Sequence, residues 1–149
     1  GPSHTDTLSA KNNFALLLDD LGERKEAKAL YKEVIPGYTE ALGPSHTDTL
    51  NAKHNFAGLL KGLGERKEAK ALYEEVIPAF TEALGPSHTY TLMAKYGLGC
   101  LESLEGNFDA ALALIDGFVD PSMAWADEDL EPLRQSRAAD FTQIIGPRP

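Results

Sequence analysis

One cysteine, Cys100, stands in a chain of 149 residues. No internal disulfide is therefore available, and zinc patterns built on two or four cysteines are excluded. A lone thiol suits a reducing compartment, so a cytoplasmic location is expected. No apolar run reaches the roughly 18 residues that a membrane span needs, so the chain reads as soluble with no membrane partner. Basic residues are outnumbered, 14 Lys and Arg against 23 Asp and Glu, for a net charge of −9. Nonspecific nucleic-acid binding depends on cations that replace phosphate counterions, so nucleic acid is not an expected partner. No Ser-His-Asp arrangement, glycine-rich phosphate loop or HExxH pair is visible, and neither an enzyme nor a cofactor is expected.

What the chain does have is repetition. The string GPSHT begins at Gly1, Gly43 and Gly85, 42 residues apart each time, and residues 1–42 match residues 43–84 at 34 of 42 positions without a gap. The third copy keeps Gly85 to Thr89, Thr91, Leu92, Ala94 and Lys95, then diverges. Each unit reads as two helices. After the Gly1-Pro2 break, Thr5 or Asp6 can cap the first. Leu8, Phe14, Ala15, Leu17, Leu18 and Leu21 give it an apolar stripe at helical spacing. Gly22 ends it, with Gly64 and Gly106 equivalent. Glu23 to Glu26 open the second helix, which carries Ala27, Leu30, Tyr31, Val34 and Ile35 and should kink or break near Pro36. Neither helix can bury its face alone, whereas stacked pairs can, which makes a solenoid.

A unit of this length also suits HEAT or armadillo repeats. The run His4, Thr7-Leu8, Asn13-Phe14-Ala15, Leu17-Leu18, Gly22-Glu23, Glu26-Ala27 and Leu30-Tyr31 is more specific. It resembles the tetratricopeptide unit of kinesin light chains and nephrocystin-3-like proteins, over residues 1 to about 115. The heptad region of a kinesin light chain is absent, so no motor partner is implied. The resemblance implies an all-α fold, an α-solenoid coiled as a right-handed superhelix of antiparallel helix pairs. Repeats are expected at 1–42, 43–84 and 85–119, with a C-terminal cap at 120–149. The segment Asp120-Pro121, Trp125, Asp129-Leu130, Pro132-Leu133-Arg134 and Phe141 is similar to the ending of many such arrays. Trp125, Leu130, Leu133, Phe141 and Ile144 are its expected sealing residues. No matching cap precedes Gly1, which starts in register with a full repeat.

The eight differences between the first two copies are Ser9/Asn51, Asn12/His54, Leu16/Gly58, Asp19/Lys61, Asp20/Gly62, Lys32/Glu74, Gly37/Ala79 and Tyr38/Phe80. Five fall at 9, 12, 16, 19 and 20, the steps of a single helical face; the third copy has Met93, Tyr96, Cys100, Ser103 and Leu104 there. A face that varies among identical neighbours is either a ligand-facing lining or plain surface under drift. The resemblance implies the lining, because first helices line the concave groove of such arrays. Asn13 and Asn55 adjoin it and match an asparagine that binds peptide backbone in kinesin light chains; the alternative is an amide bonded to the neighbouring repeat. Gly97 replaces it in the third copy. The lysine of the family's carboxylate clamp is missing, since Leu8 precedes Asn12 and Ser9 precedes Asn13 at that spacing. Lys11, Lys53 and Lys95 read as solvated or Glu-paired.

His4, His46 and His88 stand one repeat apart, on the order of 10 Å. That is too far to share a zinc at about 2 Å. They are turn residues, and no metal site is expected. The function that follows is a scaffold holding a protein or peptide ligand in its groove. Ser9, Asn12, Asn13, Leu16, Asn51, His54, Asn55, Met93 and Tyr96 are its contact residues. The alternative is structural: the face of the first repeat is expected to pack either on another copy, as a homo-oligomer, or on the missing portion of a longer protein.

Overall fold

The computed structural model describes residues 2–149, with side chains from His4 onward. The described residues form nine α-helices and one 3-10 turn, without strands. They divide into two compact units, one up to Ala83 and one covering Leu84–Pro149.

The first unit holds α1 (Pro2–Asp20), α2 (Arg24–Leu42), α3 (Thr47–Gly62) and α4 (Arg66–Leu84, its last residue across the division). The chain reverses between α1 and α2 at Gly22, whose φ is 82°. Glu23 N–H donates to Leu18 O at 2.8 Å and Gly22 N–H to Asp19 O at 2.9 Å. This pair satisfies carbonyls that the helix end leaves orphaned, and the positive φ favours glycine. Gly64 and Gly106 repeat the arrangement at φ 79° and 81°, as the 42-residue register requires.

Helix starts depart from expectation. The His46 and His88 side chains cap α3 and α5, each Nδ1 accepting the N–H two residues on at 3.1 Å. Thr47 and Asp48, the counterparts of Thr5 and Asp6, already lie inside α3. An imidazole nitrogen reaches that N–H as a serine oxygen does, because the connector fixes His46 in extended backbone. Thr49 and Thr91 donate back to Gly43 O and Gly85 O at 2.8 and 2.9 Å, which closes the connector. In the first copy Pro2 already belongs to α1, so neither Thr5 nor Asp6 is its cap. The break expected at Gly1 lies outside the described residues.

The expected break at Pro36 does not occur; α2 runs through Pro36 and α4 through Pro78. A proline inside a helix costs about 3 kcal/mol. Val34 and Tyr38 flank Pro36 and are both buried, and each such burial is worth about 1.5–3 kcal/mol. Core packing therefore outweighs the lost hydrogen bond. Leu8, Val34, Tyr38 and Ala52 form one apolar cluster; Ala15, Ala27, Tyr31 and Leu59 form another.

The second unit contains α5 (Thr89–Leu104), α6 (Phe108–Ile115), α7 (Pro121–Ala126), the 3-10 turn Glu128–Leu130, α8 (Glu131–Ser136) and α9 (Ala138–Ile145). At Gly99 a Cβ would lie 2.7 Å from Ile115 Cγ2, so glycine is what lets α6 approach α5. Leu130, Leu133 and Phe141 seal the core as expected. Two details differ. Trp125 is only half-buried, set edge-on to Phe141 with Nε1–H donating to Gly146 O at 3.1 Å. Ile145, not Ile144, is the fully inserted isoleucine of α9.

Candidate functional site

The first helices of the repeats carry the candidate residues. Within the first unit α2 packs against both α1 and α3, and α1 touches α3, so the two first helices are neighbours. Ser9, Asn13 and Leu16 are exposed on α1, and Asn12 beside them is buried. Asn51, His54 and Asn55 are half-buried on α3. The hydroxyl of Ser9 is hydrogen-bonded to Tyr38, whose own hydroxyl burial pushes to a higher pKa. Where Asn51 replaces Ser9, Phe80 replaces Tyr38. Two of the eight differences are thus one contact that changed on both sides.

Four buried side-chain atoms among the described residues have no hydrogen-bond partner: Asn12 Oδ1, His54 Nδ1, Asn55 Nδ2 and Tyr31 Oη. Three of the four belong to the expected lining. A buried polar group left unpaired costs about 1–3 kcal/mol, which a ligand with complementary groups would recover. Asn12 lacks a donor and Asn55 an acceptor, the two halves of a peptide bond. His54 sits edge-on to Tyr73, ring centroids 5.9 Å apart. Burial, with Lys61 nearby, holds its pKa down near 4, so at neutral pH the ring is uncharged.

The third copy shows what the same register can hold. Tyr96, at the position of Asn12 and His54, stacks on Phe118 with ring centroids 4.1 Å apart. Its hydroxyl donates to Asp127 Oδ2 at 2.7 Å, and burial raises its pKa further. Cys100, at the position of Leu16 and Gly58, points Sγ at the same oxygen, 3.6 Å away. Ser103 Oγ accepts the backbone N–H of Leu133 at 3.3 Å. The chain's own C-terminal segment therefore lies along this face of α5. Tyr96, expected as a free apolar contact, is committed to that packing, whereas Met93 is exposed.

Asp127 went unnoticed in the sequence. Besides Tyr96 and Cys100 it accepts the Asp129 N–H at 3.0 Å, and its carbonyl takes Arg134 Nη1 at 2.8 Å. Cys100, Asp127 and Asp129 place potential metal-binding atoms within 4.8 Å. Both carboxylate oxygens of Asp127 already accept hydrogen bonds from these donors, so the cluster reads as a structural hub.

Two of the five face positions do other work. Arg24 Nη1 donates to Gly62 O at 2.9 Å, and Arg24 Nε meets Asp19 Oδ1 at 3.3 Å. Gly62, at position 20, thus lies at an inter-repeat contact and Asp19 at a contact within the first repeat, leaving 9, 12 and 16 as the candidate lining positions. Lys11 and Lys53 pair with Glu33 and Glu75 at 3.8 and 2.7 Å, as flank residues should.

These helix pairs, turning at a positive-φ glycine and joined by a fixed connector, define a helical-repeat array. The tetratricopeptide repeat family model matches residues 6–82 and again 48–115, and the chain belongs to that family. A search of curated proteins gives no match. Among solved structures it is similar to BtubC (BKLC) from P. vanneervenii, at 21% identity and TM-score 0.72, over 92% of this chain and 58% of that one. It is also similar to a Podosopora anserina putative kinesin light chain with nearly identical TPR-like repeats. That likeness has 20% identity and TM-score 0.67, over 93% of this chain and 64% of the other. A point variant of the latter gives TM-score 0.68 at 20% identity, over 95% and 65%. The chain thus spans about three fifths of the length of these structures. The likeness bears on fold, an all-α solenoid of the kinesin-light-chain type. Tetratricopeptide repeats are generally protein–protein interaction modules and typically non-enzymatic scaffolds. No described helix is long and apolar enough to cross a membrane.

Proposed function

We propose that the lining of the first helices holds a segment of a partner protein in the cytoplasm. Ser9, Asn12, Asn13, Leu16, Asn51, His54 and Asn55 are the contacts, and Met93 continues the register. One observation carries the reading: three of the four unpartnered buried polar atoms lie on residues of this lining. A peptide backbone supplies both the donor that Asn12 lacks and the acceptor that Asn55 lacks. The cap of the second unit supports it, because a polypeptide segment already lies along the matching face of α5. The test is selection from a displayed peptide library, followed by affinity and melting measurements on Asn13→Ala/Asn55→Ala. Affinity should weaken by about 1–3 kcal/mol, with melting nearly unchanged. Unaltered affinity with a much lower melting temperature would make the amides structural.

A second reading has its own observation. Phe14 and Leu17 on α1 and Leu21 just past its end are 51%, 51% and 67% exposed. Three large apolar groups on one face form a packing surface for another structural unit.

A further inference from the structure

Glycine inside a helix is destabilising relative to alanine, since the unfolded chain has more freedom to lose. Three helical glycines here answer to a neighbour that needs the space. A Cβ at Gly37 would lie 2.6 Å from Leu8 Cδ2, one at Gly62 3.1 Å from Arg24 Nη2, and one at Gly99 2.7 Å from Ile115 Cγ2. Gly58, inside α3, answers to none. Beyond its own stretch of helix, the nearest described atom is Tyr73 Oη, 3.9 Å from where the Cβ would stand. The position is half-buried, and Leu16 fills it in the first repeat. The missing side chain therefore opens a leucine-sized gap in the lining that packing does not require.

The gap has polar walls. Its floor is the Tyr73 hydroxyl. His54, one turn earlier on the same face, stands edge-on to the Tyr73 ring and keeps Nδ1 buried without a hydrogen-bond partner. Burial, with Lys61 nearby, keeps that ring uncharged. At the matching register of α5 another segment does send in a side chain: the Asp127 carboxylate reaches Tyr96 and Cys100. Two proton donors suit a carboxylate. A neutral imidazole presents Nδ1 as donor or as acceptor according to its tautomer, and only a group that both donates and accepts serves either one. A hydroxyl is such a group, and threonine fits a leucine-sized gap. An apolar side chain of equal size would leave Nδ1 unpaired, so the walls discriminate against it.

Resting on the peptide reading above, we propose that Gly58 is a specificity-determining residue of the lining. The gap it leaves receives a serine or threonine side chain of the bound segment, whose hydroxyl bonds His54 Nδ1 above the Tyr73 hydroxyl.

The experiment selects peptides from a displayed random library on the full chain and measures them on Gly58→Ala, Gly58→Leu and Asn13→Ala/Asn55→Ala. The selected peptides should share a serine or threonine at one position. Replacing it by valine should weaken binding about tenfold on the unaltered chain and change nothing on Gly58→Leu. Gly58→Leu, which copies the first repeat, should itself weaken binding about tenfold while melting no lower than the unaltered chain. Gly58→Ala should raise the melting temperature by about 2–4 °C. Peptides that bind Gly58→Leu at full strength but weaken on Asn13→Ala/Asn55→Ala would overturn the proposal and leave the peptide reading standing. Peptides indifferent to every variant would overturn both. A shared carboxylate at that position, with a preference that fades in high salt, would overturn the hydroxyl assignment. A lower melting temperature for Gly58→Ala would show that the fold itself needs the glycine, which also overturns the proposal.

Discussion

Repeats one and two share 34 of 42 residues, yet the structure treats them differently. Leu17 is 51% exposed, whereas Leu59, the same residue at the same repeat position, is 0% exposed. Ala10 is exposed and Ala52 is buried. Helix formation and the turn at Gly22 or Gly64 are local properties and recur faithfully; burial depends on the neighbour and does not. The comparison separates what a repeat encodes from what its stack supplies.

The largest expected contrast follows from that pair. Leu59→Ala should cost about 2–5 kcal/mol, while Leu17→Ala should stay within about 0.5 kcal/mol. Paired melting curves check it, and equal losses would break the comparison. A second contrast lies at Asn12 and His54. The folded pKa of His54 is lowered from 6.5 to about 4. Its contribution is therefore complete above pH 6.5 and lost as pH falls toward 4, by about 3 kcal/mol. His54→Asn, which copies the first repeat, should remove this part of the acid slope when stability is measured from pH 7 to 4. A slope identical to wild type would show that the ring is not buried uncharged.

A third test sets the first unit against the second. Asp127→Ala strips the partner from the buried hydroxyl of Tyr96 and should cost about 1–3 kcal/mol. Hydrogen exchange should quicken in α5, α7 and α8 while α1 to α3 keep their protection. Uniform acceleration would mean that the two units do not open separately. The smallest stability effect belongs to Asn13→Ala, an exposed change expected within about 0.5 kcal/mol.

Much of the fold was legible because it is periodic. The 42-residue register located every positive-φ glycine between paired helices, and the apolar spacing located the helices. The misreadings have physical reasons. Pro36 looked like a break because propensity is local, whereas Val34 and Tyr38 are held by the core. His46 looked like a passive turn residue because a histidine cap depends on backbone geometry that composition does not display. Phe14 and Leu17 looked like core because their spacing is right and their exposure is a matter of neighbours. At the candidate site, variation between copies pointed to positions 9, 12 and 16. It also gathered positions 19 and 20, which answer to Arg24. Asp127 carried no signal, since its role exists only once α7 folds back on α5.

The central claim is that the unpartnered amides and imidazole of α1 and α3 await a peptide. The most direct measurement is nuclear magnetic resonance of the labelled chain titrated with a library-selected peptide. It follows the side-chain amide signals of Asn12, Asn13 and Asn55 and the ring signals of His54. The account predicts that these shift together, saturate at one affinity, and show the Asn55 amide protons newly protected from solvent. Shifts confined to Phe14, Leu17 and Leu21, with the asparagine and His54 signals unmoved, would contradict it.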